Sequence, residues 1–155
     1  MADEYQIIDE PARSRLDHLA TDPFWVLLAT MLGGAWLGWP WFIVNSLAVG
    51  SMHRVREISA IVVGLGVAMA LTAFGLWLVM QGHLGNRALP YAMTVLVVWK
   101  LAVSYWVMLW QAPSYELALH FRGVSRNGAL LAFGGMFLRG MVLPALPDYW
   151  TLVLA

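Results

Sequence analysis

Residues 24–50 read FWVLLATMLGGAWLGWPWFIVNSLAVG, and the only polar side chains in the run are Thr30, Asn45 and Ser46. A helix needs about 20 mostly apolar residues to cross about 30 Å of hydrocarbon. Lipid offers no partner for a free backbone amide, so a run of this kind is predicted to be helical and to span a membrane. Alternation of the kind that marks barrel strands is absent. Within the run, Gly34 and Gly38 form a GxxxG pair, which suits close helix packing. Pro40 predicts a kink that leaves the Trp36 carbonyl without its intrahelical donor.

Three further runs follow the same logic, at about 58–80, 89–111 and 128–143. Residues 1–23 form a polar, acidic tail, and residues 24–155 make a four-span membrane domain. The predicted fold class is therefore an all-α membrane protein, a four-transmembrane-helix bundle with a short polar N-terminal tail. Pro144 and Pro147 interrupt the last run, so it is predicted to stop at Leu143 and leave an interfacial C-terminal tail carrying Tyr149 and Trp150. The longer link from Pro113 to Asn127 contains YELALHF (Tyr115–Phe121), a candidate for a short amphipathic surface helix.

Composition agrees with this division. The 155 residues are 61% hydrophobic and 12% charged, against about 45–50% and about 25% in an ordinary soluble domain. Nine basic and nine acidic residues cancel, which gives no reason to expect a nucleic-acid partner. The absence of cysteine excludes a disulfide framework, a thiolate metal site and a cysteine nucleophile. The acids are unevenly spread: Asp3, Glu4, Asp9, Glu10, Asp17 and Asp22 all precede the first run, leaving a basic remainder. With four spans, Arg13, Arg15 and Arg87 share one side, and Arg54, Arg56, Arg122 and Arg126 share the other. Three against four does not orient the chain by its Lys/Arg bias.

Lys100 and Arg139 fall near the centres of the third and fourth runs, where a cation costs roughly 2.5–3.5 kcal/mol on insertion scales. Three arrangements would offset that cost. The long stems could snorkel to the interface, an acid on a partner subunit could pair with them, or they could line a cavity that takes an anion. Trp36, Trp39 and Trp99 lie deep in their runs, where an indole N–H needs a partner; one could stack on Lys100 or line a pocket. Asn45 can hydrogen-bond across helices. Ala60, Gly64, Ala68 and Thr72 make a small-residue stripe on the second run, and Gly135 shares a face with Arg139.

Surface chemistry is sparser. Arg54, Arg56, Arg122 and Arg126 form a basic collar suited to anionic lipid headgroups. His53 and Glu57 are four apart, as are Glu116 and His120, and two such pairs converging could hold Zn²⁺. No hydrolase elbow, P-loop, zincin or dinucleotide fingerprint is present, and no cofactor is predicted. The run WPWFIVNSLAVGS (residues 39–51) and the basic loop after it are similar to segments of small bacterial four-span proteins. That resemblance implies no particular activity and transfers no residue role; the expected location is the bacterial cytoplasmic membrane, as a multi-pass protein. Two functions are expected from these residues. One is a non-catalytic accessory, assembly or regulatory component of a membrane complex, with a protein partner or a second copy of itself. The other is a small transporter or oligomeric channel for an anionic or lipid-linked substrate, with Lys100 and Arg139 on the path.

Overall fold

The computed structural model describes residues 16–85, 87–123 and 127–155. The regular elements among them are all helical: α1 (Pro23–Gly33), α2 (Ala35–Val49), α3 (Arg54–Met80), α4 (Leu89–Arg122), α5 (Ala129–Val142) and α6 (Asp148–Leu154), with 3-10 turns at Asp17–Leu19 and Leu143–Ala145. Two of them, α3 and α4, are long and apolar enough to cross a membrane.

The run at 24–50 is not one helix, which corrects the first predicted span. Pro23 opens α1, where a missing N–H costs nothing, and the Asp22 carboxylate caps it by accepting from the Phe24 N–H at 2.9 Å. The helix then ends at Gly34, with φ 107° and ψ 171°, a region essentially closed to residues with a Cβ. The chain reverses there. Gly38 of α2 meets Thr30 of α1 so closely that a Cβ at 38 would overlap the Thr30 side chain. At the far end the Thr21 N–H donates to Asn45 Oδ1 at 2.9 Å. α1 and α2 are thus an antiparallel hairpin. At a rise of about 1.5 Å per residue, the 11 residues of α1 extend only about 17 Å, roughly half a hydrocarbon core.

α3 and α4 form a second, longer antiparallel pair. Gly64 lies against the Val103 side chain, and the Trp99 indole donates to the Gly64 carbonyl at 3.0 Å. α4 runs on through Pro113 to Arg122, so the predicted link from 113 and the separate helix at 115–121 are parts of one long helix. Its last turns have a packing reason to stay helical. Tyr115 and Ala118 close a small core with Ala20, Ala48 and Val49. Leu16, Leu19 and Ala20, which precede α1, belong to that core.

α5 lies beside α1 in the same direction: Gly128 meets Thr21 and Trp25, while Gly135 meets Gly33 and Leu37. Past Pro144 and Pro147 the chain does not lead away as a tail. It turns back as α6, whose Tyr149 hydroxyl donates to the Met69 carbonyl of α3 at 3.0 Å and whose Val153 is fully buried. The main core, built from Val26, Trp39, Phe42, Ile61, Val103, Val107 and Val153, joins α1, α2, α3, α4 and α6.

Polarity is distributed against the soluble pattern. Asn45, Ser46, Glu57, Ser104 and Gln111 are completely buried, while Val62, Val63, Phe74, Val98, Trp106 and Phe137 are more than half exposed.

Candidate functional site

The α1–α2 reversal and the C-terminal end of α6 meet at Lys100. The last carbonyls of an α-helix lack intrahelical donors and carry about half a negative charge. Two such ends converge here, and each is met by a cation. Lys100, 5% exposed, donates from Nζ to the Leu152 carbonyl at 3.3 Å and to the Ala155 carbonyl at 2.5 Å. Arg139, half-buried, donates to the Leu32 carbonyl of α1 at 3.4 Å. The Trp36 indole covers the neighbouring Gly33 carbonyl at 2.7 Å. Gly34 is required at the reversal for a second reason besides its φ: a Cβ there would press on the Leu154 carbonyl oxygen and the Ala155 carbonyl carbon.

Lys100 and Arg139 also line one cavity of about 140 Å³, together with Thr30, Gly34, Val97, Leu101 and Ala155, whose oxygen Lys100 already holds. Lysine carries three donors and arginine five, so the bonds named above leave capacity in both. This is an arrangement that can receive a small anion through charge-assisted hydrogen bonds.

From this cavity a buried polar stripe follows one face of α4. Ser104, one turn from Lys100, accepts the Trp39 indole N–H at 2.9 Å and donates to the Lys100 carbonyl at 2.8 Å. Two turns further, Gln111 accepts from Asn45 Nδ2 at 3.1 Å and donates to the Phe42 carbonyl at 2.8 Å. At the end of the stripe the Ser114 and Ser51 hydroxyls lie 3.3 Å apart, and Ser51 Oγ donates to Glu57 Oε1 at 2.5 Å. Glu57 Oε2 and Ser46 Oγ are buried without a hydrogen-bond partner. Sequence reasoning singled out Asn45 but not Gln111, Ser104 or Ser51. The signal was available in the helical spacing of positions 100, 104 and 111, which share a face.

The other predicted residues are distributed as follows. Trp39, Trp36 and Trp99 each give their indole N–H to a protein oxygen, as described above, and the cation–π contact forms elsewhere, with Arg56 at 4.0 Å over the Trp110 ring. Gly34 is the reversal itself, Gly38 faces Thr30, and Gly64 faces Val103. Ala68 is fully buried and Ala60 packs against the same core. Gly135 sits against Leu37, one turn before Arg139. Arg54 and Arg56 are exposed; Arg126 and the side chain of Arg122 lie outside the described residues. By sequence, His53, Glu57, Glu116 and His120 form two pairs that could converge. No group of three or more His, Cys, Asp or Glu able to hold a metal occurs among the described residues. Glu57 turns inward to Ser51, while His53, Glu116 and His120 are exposed. No family model matches the chain, and no curated protein or solved structure matches it.

Proposed function

We propose that the chain is an integral membrane protein in which α3 and α4 cross the bilayer, and that the Lys100–Arg139 cavity is the binding site of a small anion on a transport path. Bilayer residence is supported by the apolar exterior, which water would penalise at roughly 25 cal/mol per Å², together with the buried polar interior. The observation that carries the transport reading is the pairing of two cations in one cavity, at helix ends that stop partway through the bundle. The two cations, and not the helix ends, would hold the anion, because the ends that meet here are C-termini and carry partial negative charge.

Arg139 offers the cleaner test, because Lys100 also fastens α6. In liposomes loaded with the purified protein, an imposed chloride or nitrate gradient should drive flux above that of empty liposomes. Arg139→Gln should reduce it at least about tenfold, the equivalent of losing one charge-assisted bond. No anion flux from the wild-type protein would end the transport reading.

A second reading, the accessory component, draws on a different observation. Gly66 and Gly75 of α3, and Gly134 and Gly140 of α5, have open space above their Cα atoms, as close docking of a partner helix requires. Co-purification of a stoichiometric partner, together with absent flux, would favour it.

A further inference from the structure

We infer that the groove between the first turn of α3 and the outer turns of α4 binds the headgroup of an anionic phospholipid, with Arg56 as the phosphate ligand. The groove encloses about 330 Å³. Its polar side is formed by His53, Arg56 and Ser114, and its apolar side by Leu109, Pro113 and Leu117. Trp110 joins the two. Its ring supports the Arg56 guanidinium at 4.0 Å, and such stacking occupies the face of the guanidinium while leaving the in-plane N–H fork free. A fork held in this way fits the paired oxygens of a phosphodiester. His53 stands three residues before Arg56 on the same side of the groove and supplies a second donor.

Charge complementarity selects the ligand. Arg54 and Arg56 are both exposed here. The acid nearest in sequence, Glu57, is fully buried and receives the Ser51 hydroxyl. Glu116 is exposed on α4 but does not line the groove. The apolar wall selects a lipid over a free phosphate, because Leu109, Pro113 and Leu117 give an acyl chain a surface that inorganic phosphate cannot use. Pro113 shapes this wall: it removes one helical hydrogen bond and disturbs the turn before it.

The inference rests on the membrane reading above, and its test separates the two. The full-length protein is reconstituted into phosphatidylcholine vesicles, and flotation in a density gradient reports membrane residence before any probe is added; a protein that fails to float overturns both readings. Phosphatidylglycerol with brominated acyl chains is then titrated in, and tryptophan quenching is compared with that by brominated phosphatidylcholine. The wild-type protein should show stronger quenching by the anionic lipid. Arg56→Gln should weaken the apparent affinity more than about tenfold, because it loses a charge-assisted bond to the phosphate as well as a surface charge. Trp110→Phe should remove most of the extra quenching, and Arg54→Gln should cost only the roughly fivefold worth of one surface charge. Equal losses in Arg54→Gln and Arg56→Gln would mean diffuse attraction and overturn the site. Displacement of the lipid signal by inorganic phosphate would overturn the lipid assignment.

Discussion

Lys100 is held by backbone carbonyls and not by an acidic side chain. Its ammonium group meets two carbonyl oxygens at the end of α6, and Arg139 meets one at the end of α1. Carbonyls at a helix C-terminus need donors and carry partial negative charge, so each cation removes two penalties at once. Gly34 has the complementary role, since its backbone conformation and its nearness to Ala155 both exclude a side chain. Gly34→Ala should destabilise the folded protein by about 1–3 kcal/mol. Gly66→Ala, in open space on the outside of α3, should be neutral or stabilise by up to about 1 kcal/mol through helix propensity. Chemical unfolding in detergent micelles, followed by circular dichroism, measures both; equal effects would contradict the reversal at Gly34.

Among the elements, α3 and α4 were legible in the sequence and the hairpin was not. Hydropathy over residues 24–50 registers a continuous apolar run, and a reversal inside it leaves hydropathy unchanged. The paired glycines Gly33 and Gly34 were the local signal, since such a pair marks a turn, but a membrane helix also accepts glycine for packing. The direction of α6 was hidden for a different reason. Pro144 and Pro147 announce a break, while the return is fixed by Lys100 and Met69, which lie far away in sequence. The continuation of α4 past Pro113 likewise depends on Tyr115 and Ala118 packing on Ala48 and Val49. The cations of the candidate site were evident as costly residues, whereas their partners, being backbone carbonyls, have no sequence signature. The open end of the hairpin gives a quantitative test. Asn45→Ala and Gln111→Ala break the same hydrogen bond. Their combined effect should therefore fall short of the sum by about 0.5–1.5 kcal/mol in a double-mutant cycle. Strict additivity would show that the bond contributes nothing.

For the whole molecule, the α1–α2 hairpin changes which loops share a side. A chain that turns back at Gly34 re-emerges on the side where it entered. If α3 and α4 are the crossings, the segment before α1, the α2–α3 link and the α4–α5 link all face one compartment. Arg13, Arg15, Arg54, Arg56, Arg122 and Arg126 are then counted together by sequence position, and Arg87 stands alone on the other side. The near tie of three against four becomes six against one, an asymmetry of the kind that orients membrane proteins with the basic side in the cytoplasm. The natural absence of cysteine makes this directly measurable. Single cysteines at Ala12 and Met52 should react with an impermeant maleimide only after the inner face of the membrane is opened, and one at Gly85 should react in intact cells. Labelling of Ala12 and Met52 from opposite faces would require a crossing between them. In that topology the positive φ of Gly34, and not any charge, decides which loops are counted together.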